Sequence, residues 1–245
     1  MNNIVSKIDN GVLLITMNRA NKLNAITVEM YDVISELMTL ARQDCSIRCV
    51  LISGGDDVFT AGNDLKDFLQ KPPSAESGGV MRFLSTLAHF PKPLGAAVSG
   101  IAVGVGVTLL FHCDFVVATG AATFSAPFVD LGLVPEAGST YLAPRQLGQK
   151  AANRLFLLGE AIDAQQALDI GLISHVVNGS AVDAALQVAE RVASRSPQAV
   201  LETKRLMQLT RRDDVLKQID EEGRVFEELV KSDYCRALFK QFLGE

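Results

Sequence analysis

The sequence predicts an α/β fold, and three observations carry that prediction. Short runs of branched apolar residues alternate with stretches of helical spacing. Two glycine-bearing segments, Phe59-Thr-Ala-Gly-Asn-Asp64 and Gly100-Ile-Ala-Val-Gly-Val-Gly-Val-Thr108, read as a strand passing through a relaxed turn into a helix. The chain then continues into amphipathic helical stretches with charged faces.

In chain order, Gly11–Asn18 and Cys49–Ser53 are strand-like, short and rich in branched side chains. Between them, Thr27–Arg42 sets Met30, Tyr31, Ile34, Leu37, Met38 and Ala41 on one helical face, with Thr27 as N-cap. Asp64-Leu65-Lys66-Asp67-Phe68 begins a helix whose two aspartates suit its first turn. Lys71–Gly79 is a loop rich in Pro, Ser and Gly. Met81, Phe83, Leu84 and Leu87 follow at helical spacing, which fits either a core helix or the lining of an apolar tunnel. Pro93–Ser99 is a strand, Val105–His112 a helix, and Asp114–Ala118, Thr123–Ser125 and Ile173–Val177 are further strands. Ala181–Ala193, Pro197–Leu209 and Asp214–Leu243 are helical. This divides the chain into a core over residues 1–195 and a helical region over 196–245. Val225, Phe226, Leu229, Val230, Leu238, Phe239 and Phe242 form an apolar stripe that the core or a neighbouring copy must cover.

Composition narrows the function classes. With 48% hydrophobic and 21% charged residues, the chain of 245 residues packs a substantial core. A net charge of −5, with no basic run longer than Arg211-Arg212, argues against nucleic acid as a partner. Cys45, Cys49, Cys113 and Cys235 show no C-x-x-C pairing and only three histidines are present, so we expect buried reduced thiols, no disulfide framework and no metal site. His89, His112 and His175 fall into no triad pattern and read as structural. Leu94–Phe111 is uncharged and long enough to suggest a membrane span, but four glycines and Ser99 within it favour a buried strand, a turn and a buried helix. Met1-Asn-Asn-Ile-Val-Ser-Lys lacks the basic start and apolar run of a secretory leader, so the expected location is cytoplasmic.

The chemistry starts at the two glycine turns. Gly62 and Gly104 permit backbone bends that leave the Asn63 and Val105 N–H groups pointing outward. Two such donors on one carbonyl oxygen stabilise the charge of an enolate or a tetrahedral adduct. A nearby carboxylate can then move a proton, and Glu136 in Leu-Val-Pro-Glu-Ala-Gly is the choice, with Asp130 its rival. Apolar neighbours Phe128, Leu131 and Val134 raise the Glu136 pKa, whereas a helix N-terminus after Pro135 lowers it. Each feature also has an ordinary explanation, as a strand-to-helix connection or as a first-turn acid.

Five segments in order carry a resemblance. They are Met17-Asn-Arg…Asn24-Ala-Ile, Phe59-Thr-Ala-Gly-Asn-Asp-Leu65, Gly100-Ile-Ala-Val-Gly-Val…Cys113-Asp114, Ala122-Thr-Phe-Ser-Ala-Pro127 and Leu131-Gly-Leu-Val-Pro-Glu-Ala-Gly138. Together they resemble the crotonase, or enoyl-CoA hydratase/isomerase, superfamily over essentially the whole chain. That resemblance implies a crotonase-like spiral of ββα units with a C-terminal helical trimerisation region, assembled as a homotrimer or dimer of trimers. It also implies an acyl-CoA thioester as substrate, with coenzyme A part of the substrate and no separate cofactor. By position, the thioester oxygen falls between the Asn63 and Val105 amides. Lys22, Leu23 and Ala25 flank the nucleotide end, Ala61, Asp64 and Leu65 lie near adenine and pantetheine, and Gly62, Gly104 and Phe128 complete the substrate contacts.

The resemblance also bears on the reaction. The two glutamates with which hydratases of the superfamily hold water belong at positions 108 and 128, which here are Thr108 and Phe128. Glu136 instead falls where peroxisomal-type Δ3,Δ2-enoyl-CoA isomerases carry their catalytic glutamate. The expected activity is therefore double-bond isomerisation by Glu136. A divergent hydratase, an isomerase of ring-derived acyl-CoA, and a catalytically silent acyl-CoA-binding protein remain the alternatives.

Overall fold

The computed structural model describes residues 2–70 and 78–243. Its strands are β1 (Ile4–Asp9), β2 (Val12–Met17), β3 (Cys49–Ser53), β4 (Leu94–Val98), β5 (Ile101–Val103), β6 (Phe115–Thr119), β7 (Thr123–Ser125), β8 (Ile162–Asp163) and β9 (His175–Val177). Its helices are α1 (Val28–Gln43), α2 (Leu65–Gln70), α3 (Gly79–His89), α4 (Val105–Thr108), α5 (Ser139–Gln146), α6 (Gln149–Phe156), α7 (Ala164–Asp169), α8 (Ala181–Ala193), α9 (Pro197–Gln208), α10 (Arg212–Val230) and α11 (Asp233–Leu243). Six strands form one sheet in the order β1-β2-β3-β4-β6-β9, and β5-β7-β8 form a second.

The first sheet is parallel from β2 onward. Only the edge pair β1–β2 is antiparallel, joined through Asn10 and Gly11, both at positive φ. That turn has the twist a two-residue hairpin needs. Both faces of the central strands are covered, which explains their unbroken apolar runs. Val50 and Ile52 of β3, with Leu94, Ala96 and Val98 of β4, join the main core beneath α1 and α3. Cys49, Leu51, Ala97, Phe115 and Val117 face the other way, against Ala181, Ala185, Ala189 and Ala193 of α8. An alanine every fourth residue lets the helix lie close on the sheet. Thr27 caps α1 as expected, its hydroxyl accepting from the Met30 N–H at 3.3 Å.

The structure corrects several boundaries. A three-residue strand, β5, intervenes between Gly100 and Gly104, and the helix expected over 105–112 is an α-turn followed by a 3₁₀ turn at Leu109–His112. The expected helix 214–243 is two helices, because Ser232 breaks it and its hydroxyl accepts from the Cys235 N–H at 3.2 Å as a new cap. Strands β1 and β8 and helices α6 and α7 were not expected, and the helix expected after Pro135 starts only at Ser139 as α5. Within the expected loop Lys71–Gly79, residues 71–77 lie outside the described residues, and Gly79 already belongs to α3. Phe83, Leu84 and Leu87 belong to the core and half-buried Met81 packs against it, with the Phe83 ring centroid 5.0 Å from that of Tyr31.

This chain covers part of the expected apolar stripe of the helical region. Phe226, Val230 and Phe239 are buried in the same core as α1 and α3, Val225, Leu229 and Leu238 are half-buried, and the Phe242 side chain lies outside the described residues. The cysteines are free, but only Cys49 and Cys235 are buried; Cys113 is half-buried, and Cys45 is exposed because it sits in the turn that ends α1. Among the described residues no helix is long and apolar enough to cross a membrane, and Leu94–Phe111 is strand, turn and helix.

Candidate active site

Two loops from distant parts of the chain meet at Thr60. Its N–H donates to Ile101 O at 3.0 Å and its carbonyl accepts from the Val103 N–H at 3.0 Å. Its hydroxyl donates to Asn24 O at 2.7 Å and accepts from the Gly62 N–H at 3.0 Å. This pairing carries Gly62-Asn63 alongside Val103-Gly104-Val105. The approach is so close that a Cβ on Gly62 would stand 2.8 Å from Val103 O. Gly62 has φ +88° and Gly104 φ +56°, conformations that favour glycine. Among the described residues, neither the Asn63 nor the Val105 N–H donates to a protein acceptor.

A third loop closes on the same ridge. The Ala61 N–H donates to Leu23 O, the Ile26 N–H to Gly62 O and the Asp64 N–H to Ile26 O, each at 2.8–2.9 Å. Lys22, Leu23 and Ala25 are thereby brought against Ala61, Gly62 and Asp64. Lys22 and Leu23 are exposed and Ala25 is half-buried. Fully buried Asn24 fixes this loop: its amide donates to Gly54 O, Val58 O and Phe59 O, and its oxygen accepts from the Arg19 N–H. Asp64 is committed to structure. It accepts from Arg19 at 2.7 Å and caps α2 through the Lys66 and Asp67 N–H groups. Burial alone would raise its carboxyl, but these partners hold it below the usual range.

Beside the ridge is a mostly apolar cavity of about 610 Å³. Ala61, Gly62, Asn63 and Gly104 form one wall, and Leu65, Phe68, Pro127, Phe128, Leu131 and Leu133 form most of the rest. Phe226, Leu238 and Gln241 from α10 and α11 complete it. The Phe128 ring lies over Gly104. Asp130 is exposed at the lining, with its carboxylate against Gly159.

Glu136 lies behind this wall, 6% exposed and outside the cavity's lining. Thr108 Oγ1 donates to its Oε1 at 2.5 Å, while Oε2 makes no hydrogen bond among the described residues. Thr108 belongs to the helical turn that starts at Val105, and the buried Tyr31, whose hydroxyl donates to the Asn63 side chain, lies within electrostatic reach. Glu136 is therefore tied to the turn that carries the Val105 amide. Of the opposing effects, burial wins. It pushes the Glu136 carboxyl up to about 8, the Glu222 charge adds to this, and the Thr108 bond offsets part of it. The expected helix N-terminus lies too far on to help, since α5 begins at Ser139.

The turn after Glu136 is unusual. Ala137 is fully buried with φ +65°, a left-handed backbone that costs a β-carbon residue about 1–3 kcal/mol. His112 donates from Nε2 to Ala137 O at 2.7 Å, and burial pushes its pKa down to about 4. On the next residue, the Gly138 N–H donates to Glu222 Oε2 at 2.6 Å. Burial pushes Glu222 up to about 7 against the hydrogen bonds from Thr140 and Gly138 that favour its ionised form.

A stability prediction follows from these directions. A carboxyl whose folded pKa is raised contributes stability that is present below its unfolded pKa and is lost as pH rises through the folded value. His112 behaves oppositely, destabilising only below about pH 6.5. Between pH 6.5 and 8 thermal melting should therefore show stability falling by roughly 1–2 kcal/mol through Glu136, about 3–6 °C in Tm. Glu136→Gln should remove most of that decline. A decline as steep in the variant as in the wild type would show that Glu136 is not its source.

Sequence reasoning named Asn63, Val105, Gly62, Gly104, Phe128 and Glu136; the structure sets Gly62, Asn63, Gly104 and Val105 along one ridge with Phe128 over Gly104, while Glu136 is buried outside the cavity's lining and joined to the Val105 turn through Thr108. Tyr31, Glu222 and Arg19 were missed. Tyr31 looks like one more core residue of α1, and Glu222 like one more acid in a charged helix, so nothing local marks them.

The description enoyl-CoA hydratase/isomerase belongs to the family model that matches residues 7–244. The chain is 38% identical over 200 residues to 1,2-epoxyphenylacetyl-CoA isomerase of Escherichia coli, covering 78% of this chain and 76% of that one. It is 33% identical over 238 residues to enoyl-CoA delta isomerase 3, peroxisomal, of Mus musculus, covering 94% and 75%. Other relatives at 33–35% identity are named as hydratases. Among solved structures, OdaA of Pseudomonas aeruginosa superposes with a TM-score of 0.97 at 39% identity, covering 100% of both chains.

Proposed function

The chain belongs to the enoyl-CoA hydratase/isomerase family, and on that premise we propose that it shifts the double bond of a 3-enoyl-CoA to give trans-2-enoyl-CoA. The observation that carries this reading is the buried carboxyl of Glu136, hydrogen-bonded to Thr108 on the turn of one of two free amides, with Phe128 over the neighbouring glycine. The acyl thioester lies in the cavity with its carbonyl oxygen between the Asn63 and Val105 N–H groups. Lys22, Leu23, Ala25, Ala61 and Leu65 hold the coenzyme A portion, and no other cofactor takes part.

Glu136 removes a proton from C2, and the electron pair delocalises over C2–C4 and the thioester oxygen as a dienolate. The same carboxylic acid returns the proton at C4, so no atom is gained or lost. Each amide donor stabilises the dienolate by roughly 3–4 kcal/mol. A carboxyl poised near 8 is close enough to working pH to exchange its proton in both directions. A hydratase needs a group that orients and activates water, and at positions 108 and 128 this chain offers a hydroxyl engaged with Glu136 and an apolar ring.

The test supplies 3-enoyl-CoA and trans-2-enoyl-CoA thioesters side by side. The expected result is fast conversion of the first, read from the conjugated thioester absorbance, with little 3-hydroxyacyl-CoA from the second. Rapid hydration would overturn the isomerase reading. Binding of both without turnover would favour a silent acyl-CoA-binding protein.

A further inference from the structure

The peptide unit joining Ala137 to Gly138 is gripped at both ends by buried ionisable side chains. Its carbonyl accepts from His112 Nε2 at 2.7 Å, and its N–H donates to Glu222 Oε2 at 2.6 Å. The other Glu222 oxygen accepts from the Thr140 N–H at 2.9 Å and from the Thr140 hydroxyl, which in turn accepts from Gln218 Nε2 at 2.8 Å. Glu222 is 4% exposed and makes no ion pair among the described residues, so a carboxyl group has been buried to meet one turn of backbone. A helix start needing only a cap is served by a local Ser, Thr or Asp, as α8 is served by Ser180. Here the cap arrives from α10, on a turn strained at Ala137 and adjoining the buried acid Glu136.

We propose that Glu222 is a positioning residue for Glu136: it clamps the turn that presents the Glu136 carboxyl and, when ionised, sets a negative charge behind it. The inference rests on the isomerase reading for its catalytic meaning, but not for its geometry. Three ionisable groups face Glu136 or its turn: Tyr31 from α1, His112 from the 3₁₀ turn, and Glu222 from α10, with Lys204 and Arg211 acting on His112. Burial keeps the Tyr31 phenol neutral and His112 uncharged at neutral pH, so Glu222 is the group whose charge is felt. The clamp removes freedom from the base, and the charge makes its proton harder to lose.

Infrared difference titration reads this without turnover. The buried carboxyl band of Glu136 is assigned by its disappearance in Glu136→Gln. In Glu222→Gln its midpoint should fall by roughly one pH unit, because a like charge has been removed. Glu222→Asp, which keeps the charge, should restore much of that shift. In kinetics Glu222→Gln should lower kcat about tenfold with KM within about twofold, the pattern of a displaced base and intact binding. A folded Glu222→Gln protein with an unmoved midpoint overturns the proposal. Should that variant fail to fold, Thr140→Val loosens the clamp and removes a hydrogen bond that favours the ionised form of Glu222. It should lower kcat several-fold and move the Glu136 midpoint down, and wild-type kcat with an unmoved midpoint would overturn the proposal equally. A wild-type protein whose Glu136 titrates near 8 but turns over no 3-enoyl-CoA sinks the isomerase reading alone.

Discussion

Changing Glu136 to Gln should lower kcat on a 3-enoyl-CoA by about 10³-fold while KM stays within about twofold. The replacement is close to isosteric, and Thr108 can still donate to the remaining side-chain oxygen at 2.5 Å. It is also neutral, as the protonated acid is, so the buried site loses no solvation it had. What vanishes is the ability to take a proton and give it back. The pH profile carries a second signature. Wild-type kcat should rise as pH climbs through about 8, because burial keeps the base protonated below that value. The residual rate of the variant should be flat across the same range. Turnover near that of the wild type would show that another group moves the proton, and exposed Asp130 would be the first to examine.

The second large effect belongs to Gly62→Ala. At φ +88°, a β-carbon would sit 2.8 Å from Val103 O, and backbone cannot give way as a flexible side chain can. Relief comes only by parting the two loops, which moves Asn63 and Val105 away from a shared oxygen. Donors that miss the developing charge forfeit most of their contribution, so kcat/KM should fall by about 10²–10³-fold. Gly55→Ala is the matched control. Gly55 has φ +87° but nothing within 4 Å, so it carries the same backbone strain without the clash. Both variants should lose a few degrees of Tm, and only Gly62→Ala should lose activity. Equal activity losses, or none in either, would remove the amides from the mechanism.

Legibility in the sequence followed locality. β3 and α8 come out with the expected bounds because each announces itself within its own residues, one by an apolar run buried on both faces and the other by alanines four apart. β1 did not, since its side chains after Ile4 are exposed and only the Asn10-Gly11 turn betrays the hairpin. β8 is two residues long and has no pattern to show. The site divides the same way. Gly62 and Gly104 mark their turns by what only glycine tolerates, and Glu136 stands in an ordered run of matching segments. Tyr31 and Glu222 reach the site from α1 and from α10, and their partners exist only once the chain has folded. The sign of the Glu136 shift was likewise a question of burial, which no single window of residues contains.

The cavity's last wall is made by Phe226, Leu238 and Gln241, all far downstream of the loops they enclose. A ribosome therefore delivers the two glycine turns and Glu136 first, and the enclosure only as the final helices emerge. Until α10 and α11 dock, the nascent protein has a half-open trough flanked by Phe68, Phe128 and Leu133. Premature termination before Phe226 would release a molecule whose two glycine turns are complete in sequence yet lack this wall.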